Sequence, residues 1–432
     1  MNIQISNENI RKTIYDIANI FYCKEEIKFI SPGDLIVGEN KIIYKDEVFE
    51  FSNNYELKIN LYKIFSKETS YKSPWGILTG SKPSKLMKKY SAREISEKFL
   101  LSKEKTDILS QIKSLQDKIF FNPEAFNLYI NIPFCPSRCY YCSYPTIVGG
   151  EKYKKDYIEA LIREINSVNL PRKLDTIYIG GGTPSYLSNK YLERLLKAIK
   201  EKYEFLEFSF EAGRIDTLNV EKLRIMKSYG VGRISINPQT FSKDVGGKLN
   251  RFYDREKIIE LVKISQDMGF VVNMDFIIGL LGENRKTFRE NFKILENLLP
   301  DNLTFHALAI KQGSKYRENN IQTSREEALK ISQDVYEFSK KFSYQPYYLY
   351  RQKNIISNLE NIGYEKNNTY SRYNIIINDE LENVVGLGMN ANSKLKNGKK
   401  FRNSRNIRDY FNNFDQEISR KNKLINSYIN SL

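Results

Sequence analysis

Three of the four cysteines of this 432-residue chain, Cys135, Cys139 and Cys142, have three and then two residues between them. They follow the strand-like run Asn127 to Ile132 and sit in a loop that carries Pro133 and Pro136. Three thiolates at this spacing can converge on one face of an iron–sulfur cube. The fourth iron is then left without a protein ligand, and an open iron is a seat for a substrate or cofactor. Spacing alone leaves two other readings open. One is a structural zinc site, whose fourth ligand would have to be Cys23 or His306, the single histidine. The other is a set of packing cysteines.

Further polar residues punctuate apolar runs downstream. Gly180-Gly-Gly-Thr-Pro184 reads as a tight turn, or as backbone N–H and C=O groups exposed to a small polar ligand. Glu211 ends the run Phe208-Ser-Phe and needs a cationic partner if buried, which a ligand, Arg214 or Arg233 could supply. Gln239 follows another short run. Asp275 interrupts Val271 to Leu281, and His306 stands between Phe305 and Ala307, where a hydrogen-bonded core histidine is more usual than a ligand.

The elements that must position these residues alternate regularly from residue 127. Strands are expected at 127–132, 175–180, 206–211, 233–236, 271–277 and 303–309. Helices are expected between them at 152–167, 189–202, 219–228, 255–268 and 284–298. Gly230, Gly269 and Pro300 follow three of the helices as stop signals. Such alternation implies a parallel sheet. Six units suggest an α/β fold built as an open, partial (β/α)6 barrel. Chemistry on such sheets gathers at the C-terminal ends of the strands, and the cysteines, the glycine run, Glu211 and Gln239 fall there.

Residues 1–72 read as a small α+β domain. Asn7 caps a helix with Ile10, Ile14, Ile17, Ala18 and Phe21 on one face, Cys23 ends that helix as a packing residue, and strands follow near Leu35, Lys41 and Val48. Residues 73–122 form a connector with Trp75, the single tryptophan, and two lead-in helices at 92–100 and 103–118. The barrel then spans 123–312, and 313–432 forms a C-terminal α+β extension. No run of 18 apolar residues and no basic–apolar leader is visible, so a cytosolic protein is expected. Four cysteines in that setting read as metal or redox chemistry, not a disulfide framework. The net charge of +16 suits an anionic partner. The lysines are scattered among glutamates, as in Lys197 to Glu204, which argues against a nucleic-acid groove.

Cys-x3-Cys-x2-Cys after a strand, followed by Gly-Gly-Gly-Thr-Pro, resembles the radical S-adenosylmethionine enzymes. Tyr129-Ile-Asn-Ile-Pro-Phe-Cys135, Gly180 to Leu187, Arg233-Ile-Ser and Asp275-Phe-Ile-Ile-Gly-Leu280 are similar to the oxygen-independent coproporphyrinogen III oxidase group. Pro74 to Gly80, Glu211-Ala-Gly-Arg214, Ser235 to Thr240 and Tyr347 to Asn354 resemble its HemZ-type branch. The resemblance implies a [4Fe–4S] cluster on Cys135, Cys139 and Cys142, with S-adenosylmethionine on the open iron. It also implies that Tyr129 and the Tyr141 backbone lie beside the cluster and adenine. Gly181, Gly182, Thr183 and Glu211 would hold the methionyl amino group. Gln239, Arg251 and Asp275 would hold the carboxylate and ribose, and Ile277 and Ala307 would contact adenine through their backbones. The implied activity is oxidative decarboxylation of coproporphyrinogen III to protoporphyrinogen IX. An anionic tetrapyrrole would be the substrate, flavodoxin or ferredoxin the electron donor, and the chain a monomer. Two positions depart from the best-studied branch: Asn131 replaces its histidine and Tyr144 a further cysteine. Rival readings are another radical enzyme on a tetrapyrrole, such as anaerobic haem ring opening, an RNA-modifying radical enzyme, and a haem-trafficking chaperone. The His-Asn-x-x-Tyr-Trp motif of the chaperones is missing here.

Overall fold

The computed structural model describes residues 1–80, 82–319 and 324–432. Ser81 of the connector and residues 320–323 of the C-terminal region lie outside the described residues. The chain divides into two compact units, Met1–Lys113 with Tyr350–Glu360, and Ser114–Leu349 with Asn361–Leu432.

The first unit holds a five-stranded sheet ordered Lys28–Phe29, Asn2–Ile5, Leu35–Val37, Lys41–Tyr44, Glu47–Glu50. Helices Arg11–Phe21 and Asn54–Thr69 contribute Ile14, Ile17, Leu57, Leu61 and Phe65 to one core with Ile3, Leu35, Val37 and Ile42. The first strand and the second helix extend the sequence expectation. Asn7 caps a short 3-10 turn ahead of the first helix, and that helix stops at Phe21. Cys23 is exposed and lies beyond it, so the expected packing role is corrected. Trp75 is fully buried, and its Nε1–H donates to Glu360 Oε2 at 2.6 Å. Lys105 Nζ donates to the other oxygen of Glu360 at 2.7 Å, so this buried carboxylate is satisfied on both sides.

In the second unit the strands are β1 Phe126–Ile132, β2 Lys173–Gly181, β3 Glu204–Gly213, β4 Arg233–Ile236, β5 Val271–Ile278 and β6 Asn302–Ala307. They pair in parallel in that order. The intervening helices are α1 Glu151–Ser167, α2 Asn189–Lys202, α3 Val220–Ser228, α4 Arg255–Asp267 and α5 Arg285–Leu298. Each helix buries one stripe, and the strands alternate: β1 sends Leu128, Ile130 and Ile132 to one face and β6 sends Leu303, Phe305 and Ala307, while Asn127, Asn131, Thr304 and His306 lie on the other. Ser188, Asn219, Asp254 and Asn284 accept backbone N–H groups at the starts of α2 to α5, which fixes where those helices begin.

The sheet does not end with the sixth strand. Strands β7 Gln345–Tyr350, β8 Asn361–Glu365, β9 Asn383–Leu387, β10 Asn392–Lys394 and β11 Lys400–Arg402 extend it. The order is β7-β8-β6-β5-β4-β3-β2-β1-β9-β10-β11, eleven strands among the described residues. β8 runs antiparallel to β6, and β9 runs parallel to β1. The six parallel strands of the expected open, partial barrel are present, and C-terminal strands extend their sheet at both edges. A buried ion pair anchors the helix Phe414–Ile429 to this sheet. Glu164 of α1 accepts from Lys421 Nζ, from Tyr410 OH at 2.7 Å, and from Asn403 Nδ2 and the Gly388 N–H at 2.8 Å. Among the described residues no helix is long and apolar enough to cross a membrane.

Candidate active site at the strand ends

β1 stops at Ile132, and Phe134–Cys135 pairs with Ile147–Val148 to form the neck of the cysteine loop. Backbone bonds then pin the loop. The Tyr140 N–H donates to Leu249 O, the Cys142 N–H to Cys139 O and the Gly149 N–H to Cys135 O. Arg138 Nη2 reaches Gly313 O at 2.6 Å. Burial pushes the Cys135 thiol up to about 11, relieved by the Thr183 hydroxyl that donates to its sulfur at 3.3 Å and raised further by Cys142 and Cys139. Burial also raises Cys142, opposed by a hydrogen bond from the Tyr144 backbone. Metal ligation would remove the protons that burial favours on Cys135 and Cys142. Among the described residues no group of three or more His, Cys, Asp and Glu closes on one ion. A cube asks for something different, because each cysteine binds its own iron.

The glycine run lies directly across. The Gly182 N–H donates to Ile132 O and the Thr183 N–H to Phe134 O, both at 2.8 Å. A Cβ on Gly182 would stand 3.0 Å from Cys135 Sγ, so only glycine permits this approach. Gly181 takes φ +116, and a Cβ there would collide with Asn131 Oδ1.

Glu211 sits beside this run. Neither arginine that could have paired it does so. Arg214 turns to Asp216, and Arg233 reaches Asn302 and the carbonyls of Thr369 and Tyr370. Glu211 instead accepts from Tyr178 OH at 3.4 Å and from the Gly181 backbone. Burial, reinforced by the charge of Asp275, raises its carboxyl to about 7, against the pull of Tyr178, His306 and Gly181. Asp275 accepts from Asn273 Nδ2 at 2.8 Å, and its Oδ2 lies 3.7 Å from His306 Nε2. Burial presses the His306 pKa down, but the hydrogen bond and charge of Asp275 prevail and raise it. The histidine is thus part of this acidic cluster as well as a strand residue.

Gln239 has φ +68 and bridges to Phe276, its N–H donating to Asp275 O and its carbonyl accepting from Ile277 N–H. Its side-chain Oε1 is buried and lacks a hydrogen-bond partner among the described residues. Arg251 donates to Gly213 O, Asn237 O and Tyr141 OH, which joins the ends of β3 and β4 to the cysteine loop. Ala307 closes β6 opposite Ile278.

Three tyrosines that sequence reading did not connect form a stack behind the site. Tyr129 and Tyr178 are direct cross-strand partners with ring centroids 6.3 Å apart, and Tyr178 stacks on Tyr373 at 4.6 Å. Tyr373 is placed by Glu207, which accepts the Arg372 and Tyr373 N–H groups at the start of the helix Arg372–Asp379. The two departing positions also meet. Tyr129 OH and Tyr144 OH both donate to Asn131 Oδ1, at 3.2 and 3.0 Å.

The donor set fits a cluster with an open iron and a zwitterionic ligand: three thiols in one loop, an anionic group, a cationic group and an unsatisfied buried acceptor. The Radical SAM superfamily matches residues 129–295. The oxygen-independent coproporphyrinogen-III oxidase-like protein HemZ of Bacillus subtilis is 30% identical over 98% of this chain and 96% of its own. The heme chaperone HemW of Lactococcus lactis is 31% identical over 65% of this chain and 73% of its own. The solved structure of the Escherichia coli radical SAM enzyme coproporphyrinogen III oxidase (HemN) aligns with a TM-score of 0.58 at 23% identity, over 71% of this chain and 73% of that one. The extended sheet and the cysteine loop are thus those of a known fold, and by near-full-length similarity the chain belongs to the radical SAM superfamily and, within it, to the oxygen-independent coproporphyrinogen III oxidase-like family.

Proposed function

We propose that the protein oxidatively decarboxylates two propionate side chains of coproporphyrinogen III to vinyl groups, giving protoporphyrinogen IX. The observation that carries this reading is the 30% identity to an oxidase-like relative along 98% of the chain, joined to a complete set of strand-end donors. When bound, the [4Fe–4S] cluster and S-adenosylmethionine supply a 5′-deoxyadenosyl radical from one electron.

The chain's own residues bind and orient. Cys135, Cys139 and Cys142 hold three irons. Glu211, once ionised, accepts the ligand's ammonium, and Arg251 meets its carboxylate. Gln239 Oε1 is supplied with a donor by the ligand, and Asp275 accepts ribose hydroxyls. Tyr129, Tyr141, Ile277 and Ala307 flank the adenine side, and Gly181, Gly182 and Thr183 allow close approach. Each round takes one hydrogen atom, carbon dioxide and one electron from a propionate. The positive charge of the chain suits a tetracarboxylate substrate, and a small reductant such as flavodoxin or ferredoxin suits the cluster.

A second reading, haem trafficking, is favoured by the similarity to HemW. One experiment separates the two. Reconstituted protein is incubated anaerobically with coproporphyrinogen III, reductant and S-adenosylmethionine. The proposal expects protoporphyrinogen and carbon dioxide. Cleavage of S-adenosylmethionine without decarboxylation refutes it, and stoichiometric haem binding with transfer to an apoprotein would then favour trafficking.

A further inference from the structure

Arg214 follows Gly213 at the end of β3 and is 6% exposed. Asp216 grips one edge of its guanidinium, Nε to Oδ1 at 2.9 Å and Nη2 to Oδ2 at 2.7 Å. This fork-to-carboxylate clamp fixes the plane of the group. It leaves Nη1 aimed at the cysteine loop, where it donates to Ser137 Oγ at 3.0 Å, to Ser137 O at 3.3 Å and to Cys139 Sγ at 3.7 Å. Among the residues given a role above, none places a cation on a cluster sulfur.

We propose that Arg214 tunes the cluster: its Nη1–H donates to the Cys139 sulfur and, together with its charge, favours the reduced state. Reduction adds negative charge to the cluster and its sulfurs, so a buried donor and cation stabilise the reduced form more than the oxidised one. Hydrogen bonds to sulfur and nearby charge set the potential of such clusters, and burial keeps the effect from being screened. Asp216 acts through Arg214 as its holder. A guanidinium suits this task because its planar fork holds the carboxylate with two N–H groups and presents another nitrogen to the sulfur.

The inference rests on the cysteines holding a cluster and not on decarboxylation. The test is an anaerobic redox titration of reconstituted protein followed by electron paramagnetic resonance, with iron and sulfide counted in each sample. Arg214→Met is expected to keep its iron and to shift the reduction equilibrium about tenfold against the reduced state, a midpoint about 59 mV more negative for one electron. Arg214→Lys is expected to fall between this variant and the wild type. A midpoint unchanged in both variants at full iron content overturns the proposal. Should Arg214→Met lose iron, Arg214→Lys decides alone: a midpoint below the wild type supports the role and an equal one rejects it. A wild type that binds no four-iron cluster refutes the cysteine assignment and this proposal together. Failure to decarboxylate coproporphyrinogen touches only the proposed function.

Discussion

Glu211 offers the sharpest test of how the ligand is held. Its carboxyl titrates at about 7 because it is buried, with Asp275 beside it and only Tyr178, His306 and the Gly181 N–H in opposition. An ammonium ligand is held by the ionised form alone. Binding therefore strengthens as pH rises toward 7, and the sign follows from linkage, since the ligand favours the deprotonated carboxyl. The ionised fraction grows about fifteenfold between pH 5.5 and 7 for such a group, and affinity should grow in proportion. An α-amino group titrates at about 7.7–8.0, so affinity should fall again above pH 8. Calorimetric titration of S-adenosylmethionine into anaerobically reconstituted protein reads this profile. Glu211→Gln should abolish the acidic limb and cost about 1.5–3 kcal/mol, the range for a hydrogen bond to a charged group. Asp275→Asn should move the limb to lower pH by removing the anion that raises Glu211. A flat wild-type profile from pH 5.5 to 7, or an unchanged limb in Glu211→Gln, would refute the assignment.

Three further outcomes follow from the same geometry. Cys139→Ala should lose the cluster's visible absorbance and S-adenosylmethionine cleavage together, and cleavage retained would sink the site. Gly182→Ala puts a Cβ 2.8 Å from Phe134 O and 3.0 Å from Cys135 Sγ, so iron content should drop; a full complement would show that the approach is not needed. Lys421→Met strands the buried Glu164 carboxylate and should cost about 3–5 kcal/mol in urea unfolding, with much of the loss recovered in the Glu164→Gln, Lys421→Met pair. Burial opposes ionisation of Glu164 but Lys421 and the other donors prevail and lower its pKa, so its stabilisation is present above the unfolded value of about 4.3 and is lost as pH falls below it.

The six parallel strands were legible because each is a short apolar run closed by a turn, and their ends shifted by only a residue or two. The helix Asn54–Thr69 was not expected, although Leu57, Leu61, Ile64 and Phe65 share one face and mark it. The flanking strands were not legible. β8 and β9 lie more than fifty residues beyond the strands they pair with, and nothing local marks such a partner. The partners of Glu211 were missed for a related reason. An arginine three residues away is the nearest in sequence, but the strand bulge between Glu211 and Gly213 turns Arg214 toward the cysteine loop. Tyr129 and Tyr178 become neighbours only once the register of β1 and β2 is known.

The position of β9 has a consequence for how the protein is made. It pairs along β1, the strand that leads into the cysteine loop, and Asn131 Nδ2 donates to Met389 O just beyond it. Until residues 383–389 have left the ribosome, one edge of β1 is open and Asn131 lacks that anchor, and an unpaired edge is a site for wrong pairing. The strand that leads into the cysteine loop is thus completed late in the life of each molecule. A chain released before residue 383 would carry all three cysteines and still present them on an unfinished strand.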